Sequence, residues 1–333
     1  MDSLAVGRCV RSMVLLLLVP TVFWSGLVFW FMASGNGWIR GLLIAIWLVF
    51  ALVGVIQARK RLLWIIPATA GWLLALILWS GETALAERND WSPEVERIVQ
   101  WNQSNETLQL NNVRDFHYHS ADSFDPRWID ETVTLSELER LDLGVAQISR
   151  NGLIGHVFLS FGFRDGRQIV ASVEIRRQAG ESYDPLRGCF RAYELIYVIG
   201  TERDILGLRL NHRKHPIRLY PIQAEPLAIQ RLFLEILTRA KTLQTQPEFY
   251  HTLRNNCTTN LIEHVDALLE KPLLTGWRRS LPETAAEQVF DSGYFAVKAD
   301  NWTQAREDAL LSPLPSQSLT AVEWSRRLRD QDR

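Results

Sequence analysis

Residues 155–163 have the sequence GHVFLSFGF, and residues 169–175 have the sequence IVASVEI. Both stretches are rich in β-branched and aromatic residues, which is typical of buried strands. Residues 164–167, RDGR, lie between them and contain the Asp-Gly pair that favours a hairpin turn. The sequence therefore predicts an antiparallel β-hairpin here.

The length of the turn decides which side chains share a face of this hairpin. If residues 164–166 form a three-residue loop, His156 faces Glu174 on one side of the sheet. If Asp165 and Gly166 alone form a two-residue turn, the register slips by one residue and Glu174 points away. The sequence leaves both registers open.

The hairpin belongs to a larger folded unit. Further strands are predicted at residues 193–199 and 218–220, where apolar and aromatic residues predominate. Residues 228–243 and 258–269 carry apolar side chains at helical spacing and are predicted to be amphipathic helices. We therefore expect one α+β domain over residues 113–275, with an antiparallel sheet and a helix that begins near a cysteine.

Cys257 is the candidate nucleophile. It lies in the sequence NNCTTN at residues 255–260, directly before a predicted helix, and Asn255 or Asn256 is a suitable N-cap. In the first turn of a helix, unpaired backbone N–H groups and the positive end of the dipole favour thiolate. The same N–H groups can stabilise an oxyanion when the thiolate attacks a carbonyl.

His156 is the predicted base for this thiol, because it stands at the start of a strand that can face the cysteine-bearing helix. A nucleophile–base pair needs a third group that orients the base, and Glu174 is the candidate. His156 could instead be a buried structural histidine. His264, seven residues beyond Cys257 and near the same helix face, is the reserve base.

The remaining histidines do not predict a metal site. His117 and His119 are two residues apart, and His212 and His215 are three apart, so neither pair has the i, i+4 spacing of a helical zinc motif. We therefore expect no metal and no cofactor.

Charge is distributed very unevenly along the 333 residues. The first 80 residues contain only seven charged side chains, six cations and one anion, whereas the rest of the chain has a net charge of −6. Three uncharged stretches predict transmembrane helices at about residues 13–33, 39–57 and 62–80. A cleaved signal peptide is the alternative for the first stretch, but its apolar run is too long and two more spans follow. This composition excludes a basic nucleic-acid binder, a wholly soluble protein and a disulfide scaffold.

The positions of the cations predict the orientation of these spans. Arg8 and Arg11 precede the first span, and residues 59–61, RKR, separate the second from the third. The positive-inside rule places both regions in the cytoplasm and the chain after Gly81 outside. No span contains an internal Asp, Glu, Lys or His, which argues against ion transport.

The sequence thus predicts a multi-pass protein of a bacterial inner membrane with a periplasmic domain. We divide the chain into a membrane anchor (1–81), a linker (82–112), the α+β domain (113–275) and a polar C-terminal extension (276–333), which we expect to pack peripherally. Oligomeric state is left open by the sequence.

Several motifs, in the right order, resemble the Lnb-type N-terminal periplasmic domain over roughly residues 113–270. They are the hairpin described above together with VRDFHY (113–118), SVEIR (172–176), YELIYVIGTERD (193–204), PEFY (247–250) and NNCTTN (255–260). The resemblance implies a permuted papain-like thiol fold, related to acyltransferases of the lecithin:retinol type, in which the histidine precedes the cysteine. Characterised members are implied to be lipoprotein N-acyltransferases that form an acyl-cysteine thioester.

Two points qualify this implication. Members of that family carry the periplasmic domain before their membrane helices, whereas this chain has its apolar segments first, so the substrate does not carry over. Cys189 offers a disulfide partner for Cys257 in an oxidising compartment. The NNCTTN context and the resemblance, which matches a cysteine only at Cys257, favour the nucleophile over the disulfide.

The function predicted from the sequence is a membrane-anchored periplasmic thiol acyltransferase that acts on a membrane lipid or a lipoprotein. A periplasmic cysteine hydrolase of the same fold, either a peptidase or a cell-wall amidase, is the first alternative. A membrane-tethered binding module with an inactive site is the second, and it predicts that His156 and Cys257 lie far apart or that Cys257 is bridged to Cys189.

Overall fold

A computed structural model describes residues 20–31, 37–58, 66–81, 89–315 and 319–331. The chain divides into two compact units. The first unit comprises the described residues before position 89 together with residues 184–192, and the second unit comprises residues 89–183 and the described residues from 193 onward.

The first unit contains three apolar helices, α1 (Pro20–Phe31), α2 (Gly37–Ala58) and α3 (Ile66–Gly81). Of the three predicted spans, the described residues provide one helix that is long and apolar enough to cross a membrane, at Gly37–Gly54 within α2. In the first and third predicted spans, the helices within the described residues are too short, with 16 residues in α3. The remainder of those two spans lies outside the described residues. The described residues therefore provide one candidate membrane-spanning helix, and the three spans stay a prediction.

Residues 184–192 pack within this first unit. Phe190 stacks on Phe31 of α1, with ring centroids 5.1 Å apart, and its side chain is buried. Gly71 of α3 lets Trp47 of α2 approach closely, because a Cβ at that position would lie 1.9 Å from the indole ring.

The second unit is built on an eight-stranded sheet. Its strand order is β1-β2-β9-β8-β7-β6-β10, and β5 pairs with β2 outside this order. All pairings are antiparallel except a short parallel contact between β2 and β9, and β3 and β4 form a separate two-stranded sheet. The strands are β1 (Gln100–Ser104), β2 (Thr107–Arg114), β3 (His117–Tyr118), β4 (Phe124–Asp125), β5 (Trp128–Thr134), β6 (Leu138–Gln147), β7 (Gly155–Phe163), β8 (Gln168–Arg176), β9 (Glu194–Thr201) and β10 (Ile217–Pro221).

Helices cover both faces of this sheet, which confirms the mixed α+β class. They are α4 (Glu202–Gly207), which continues into a π-helical turn (Leu208–His212), α5 (Pro226–Thr245), α6 (Cys257–Asp266), α7 (Pro282–Asp291), α8 (Trp302–Asp308) and α9 (Ala321–Arg329). Because successive side chains of a strand point to opposite faces, Phe158 packs in the core cluster with α4 and α9, whereas Val157 and Leu159 face α5 and α6. The permuted papain-like identity of this arrangement stays a prediction.

The predicted linker at residues 82–112 is wrong over the part that the structure describes. Strands β1 and β2 occupy most of residues 100–114 and are hydrogen-bonded parts of the large sheet. Residues 89–99 pack in the same unit, with Val95 and Ile98 in the core. Residues 100–104 have a polar sequence because β1 is an edge strand whose side chains are mostly exposed.

The C-terminal extension is not peripheral. Helix α9 inserts Trp324 and Leu328 into the core, where both are fully buried. Arg329 forms ion pairs of 2.7 Å with Asp142 and with Glu202, and both carboxylates are inaccessible to solvent. The extension therefore closes one face of the sheet and neutralises charges buried within it.

Candidate active site

The hairpin adopts the first of the two registers. The N–H of Phe163 donates to the carbonyl of Arg167 at 2.9 Å, so residues 164–166 form a three-residue loop. Gly166 has φ +89°, a left-handed conformation that favours glycine. The pairing of Phe158 with Ser172 then brings Glu174 to the same face as His156.

His156 lies in a hydrogen-bonded cluster on that face. Its Nε2 is 2.7 Å from the Oγ of Ser172 and 3.2 Å from Oε1 of Glu174. The Ser172 hydroxyl donates to the same Oε1 at 2.7 Å. Nε2 is thereby engaged, which leaves Nδ1 as the ring nitrogen available to another partner.

Arg209 is a member of this cluster that sequence reasoning missed. It lies on the π-helical turn, and its Nη2 donates to Oε1 of Glu174 at 2.5 Å. Ser172 was missed as well, although its position two residues before Glu174 on one strand places both on one face. No local pattern marks Arg209, because it is 35 residues from its partner.

Cys257 is the first residue of α6, as its sequence context predicts. The N-cap is Asn256, whose side chain accepts the N–H of Thr259, while the Thr259 hydroxyl accepts the N–H of Asn256. This capping box fixes the start of the helix. The thiol is 5% exposed and lies at the helix end where the N–H groups are unpaired by the helix itself.

The thiol and the imidazole of His156 lie side by side. Burial alone raises the pKa of Cys257, but the charge of His156, a hydrogen bond to its ring and the N–H of Val157 outweigh burial and lower that pKa. For His156, burial lowers the pKa, and Glu174 together with Cys257 reverses this and raises it to about 9. The pair is therefore biased toward thiolate and imidazolium.

Glu174 remains ionised in this setting. Burial raises its pKa, but the charges of His156 and Arg209 and the hydrogen bonds from His156 and Ser172 hold it well below its usual value. A buried carboxylate with this many partners fixes the ring of its histidine and compensates the imidazolium charge.

One cavity contains the thiol, and a second is lined by the residues next to Cys257 and His156 in the chain, Thr258 and Val157. The first is a polar cleft of about 190 Å³ that contains Cys257, His156 and Glu174. The second is an apolar cavity of about 560 Å³ between the sheet and helices α5, α6 and α7, lined by Val157, Thr258 and many Leu and Ile side chains. The backbone N–H of Val157 donates to the thiol, and Val157 also lines the apolar cavity. One residue therefore contacts both the sulfur and this cavity.

The other candidate residues take structural positions. His264 is engaged at both ring nitrogens, Nε2 with the Tyr197 hydroxyl at 2.8 Å and Nδ1 with Glu235 at 3.3 Å, so it is not the base of Cys257. Cys189 and Cys257 are both free thiols in this structure. In the described parts of the chain no cluster of three or more potential ligands could hold a metal ion.

A polar α+β domain that follows an apolar helix in the chain defines a class of membrane-associated proteins with a folded domain outside the bilayer. Residues 124–284 match the sequence profile of the family described as the Lnb N-terminal periplasmic domain. This match confirms, over those residues, the family resemblance inferred from the sequence. No curated protein and no solved structure matches the chain.

Proposed function

We propose that this protein is a membrane-anchored periplasmic thiol acyltransferase that takes an acyl group from a lipid or a lipoprotein. Cys257 is the nucleophile, His156 is its base and Glu174 orients the base. The observation that carries the proposal is the buried Cys257 thiol, which is hydrogen-bonded to the His156 ring, together with an apolar cavity of about 560 Å³ that is lined by the adjacent residues Val157 and Thr258.

The reaction follows from this arrangement in two steps. The Cys257 thiolate attacks the carbonyl carbon of an ester, and the N–H groups that begin α6 stabilise the oxyanion. A C–S bond forms and the ester C–O bond breaks, while the His156 imidazolium donates its proton to the departing alkoxide. In the second step His156 removes a proton from an amine or water as it attacks the thioester carbonyl. A C–N or C–O bond forms and the C–S bond breaks, which restores the Cys257 thiolate beside the protonated His156.

The size and lining of the apolar cavity favour an acyl group over a peptide. A dry cavity of about 150 Å³ lined by aliphatic side chains holds a benzene-sized ligand, so this cavity, nearly four times larger, can hold a long hydrocarbon chain. Apolar lining side chains stabilise such a chain by burial. A membrane-anchored enzyme also meets its acyl donor within the bilayer.

A cysteine hydrolase is the second candidate, favoured by the polar cleft of about 190 Å³ that holds the thiol itself. It would use the same three residues with water as acceptor. The inactive binding module has less support, because His156 lies beside Cys257 and Cys257 is free.

We further propose that the anchor spans the membrane three times, with the N-terminus in the cytoplasm and the domain in the periplasm. The charge-free stretches and the cations at residues 8, 11 and 59–61 support this topology. An alkaline phosphatase fusion after Gly81 should be active, and an inactive fusion overturns the proposed orientation.

The acyl-enzyme is the direct test of the proposed activity. After incubation of the full chain with a membrane lipid extract, intact mass should show an acyl adduct that hydroxylamine removes and that Cys257→Ser lacks. Ala228→Trp, which fills the apolar cavity, should reduce the adduct, whereas Leu227→Trp, at an exposed neighbouring position on α5, should not. Absence of any adduct in the folded wild type contradicts acyl transfer, and turnover of peptide substrates then supports the hydrolase.

A further inference from the structure

We propose that the polar cleft binds the phosphate of a phospholipid acyl donor, and that Arg213 is the residue that binds this phosphate. The inference rests on the proposed acyl transfer and names its donor. It assigns the two cavities to different parts of one lipid: the apolar cavity to the acyl chain and the polar cleft to the ester and headgroup.

The cleft contains more positive charge than the protein itself compensates. Four arginine side chains line it. Three of them form ion pairs with carboxylates of the same domain: Arg114 with Asp204, Arg177 with Glu94, and Arg209 with Glu174. These three guanidinium groups are therefore held in place and neutralised.

Arg213 differs from the other three. It follows the π-helical turn, lies four residues beyond Arg209, and forms no ion pair or side-chain hydrogen bond with any residue that the structure describes. Arg213 is exposed at the mouth of the cleft, and partial desolvation and the charge of Arg209 lower its pKa, so an anion beside it would relieve an unfavourable interaction. A guanidinium fork matches the geometry of a phosphate.

His215 provides a second polar group in the same cleft that the described part of the chain leaves without a hydrogen-bond partner. Its Nδ1 is buried and has no hydrogen-bond partner within the described chain. Burial and the charges of Arg209, Arg213 and His156 lower the pKa of His215, which keeps the ring neutral. A neutral ring can donate one hydrogen bond to an anion without adding further charge.

The position of these groups relative to Cys257 indicates a phospholipid. The ester carbonyl must reach the thiol, and Arg213 lines the same cleft of about 190 Å³. In a glycerophospholipid the phosphate is bonded to the same glycerol unit as the ester, so both fit one small cleft. A neutral diacylglycerol would leave Arg213 without an anion beside Arg209.

Binding can be measured without catalysis by using full-length Cys257→Ser protein in neutral detergent. The probes are a short-chain diether glycerophosphate lipid, the matching diether glycerol without phosphate, and inorganic phosphate. Neither lipid contains a carboxylic ester, so the result does not depend on acyl transfer. We expect the glycerophosphate lipid to bind at least about tenfold more tightly than the neutral lipid, the effect of a charge-assisted hydrogen-bonded contact.

Arg213→Ala should reduce this preference to about twofold or less, and Arg213→Lys should restore part of it. Arg231→Ala, at an exposed arginine on α5 outside the cleft, is the matched control and should retain the preference. Equal binding of both lipids by the unsubstituted chain, or a preference that survives in folded Arg213→Ala, overturns the proposal. Inorganic phosphate that binds as tightly as the glycerophosphate lipid overturns the lipid assignment and indicates a free-phosphate site. If the preference is found but no acyl adduct forms, the lipid site stands and the acyl-transfer proposal fails.

Discussion

Replacing Glu174 by Gln should abolish the thiolate–imidazolium pair at neutral pH while preserving the shape of the site. The rise of the His156 pKa from 6.5 to about 9 corresponds to about 3 kcal/mol. The Nε2–Oε1 distance of 3.2 Å gives a Coulomb energy of about 5 kcal/mol at an effective dielectric constant of about 20. The charge of Glu174 is therefore large enough to be the main cause of the rise, to which Cys257 also contributes.

Without this carboxylate, burial and the charge of Arg209 are opposed only by Cys257, so the pKa of His156 falls and less of the ring is charged at pH 7. The Cys257 thiol then loses the charge that stabilises its thiolate, and burial raises its pKa. Because the thiolate is the reactive form, each unit of rise reduces reactivity about tenfold. We expect alkylation by neutral iodoacetamide at pH 7 to slow at least about tenfold.

The assay is the rate of Cys257 alkylation against pH, measured by mass spectrometry with Cys9 and Cys189 replaced by Ser. In the parent protein, thiolate reactivity should persist well below the ordinary cysteine pKa, and the ion pair should be lost as the pH rises through about 9. Ser172→Ala removes a hydrogen bond but keeps the carboxylate charge, so its profile should shift less. An unchanged profile in folded Glu174→Gln would refute the electrostatic account of the site.

Three further changes test the fold around the site. Arg329→Met leaves Glu202 buried without its counter-charge and should lower the free energy of unfolding by about 3–5 kcal/mol in denaturant titrations; a loss below about 1 kcal/mol would contradict a buried pair. Gly144→Ala places a Cβ 1.9 Å from a buried phenylalanine ring and should cost about 1–3 kcal/mol, which a lowered Tm would reveal. Asn256→Ala should cost about 1 kcal/mol and slow alkylation of Cys257, whereas Asn301→Ala, which removes the N-cap of α8, should cost as much and leave alkylation unchanged.

Local sequence signals predicted the elements that carry the candidate chemistry. The cap residues before Cys257 and the β-rich stretch after His156 are patterns within a few positions, and the structure contains both the helix and the hairpin. Whether Glu174 faces His156 depended on one residue of turn length, because a strand repeats every two residues. The amino-acid composition of the turn does not determine whether its loop has two or three residues.

The features that the sequence did not predict depend on contacts between distant residues. Arg329 forms ion pairs with Asp142 and Glu202, which lie 187 and 127 residues earlier in the chain. No local sequence pattern therefore indicates that α9 is a core helix. Its polar composition suggested a peripheral segment, although Trp324 and Leu328, four residues apart, form one apolar stripe. Strand β1 looked like linker for the same reason, since an edge strand exposes most of its side chains.

The late position of α9 also has a consequence for biogenesis. Asp142, Glu202 and the central strands are synthesised long before Arg329 and Trp324, so the nascent domain must wait for its last helix before its core can close. The cluster around Trp324 and the ion pairs of Arg329 therefore form only after the whole of the domain has been synthesised.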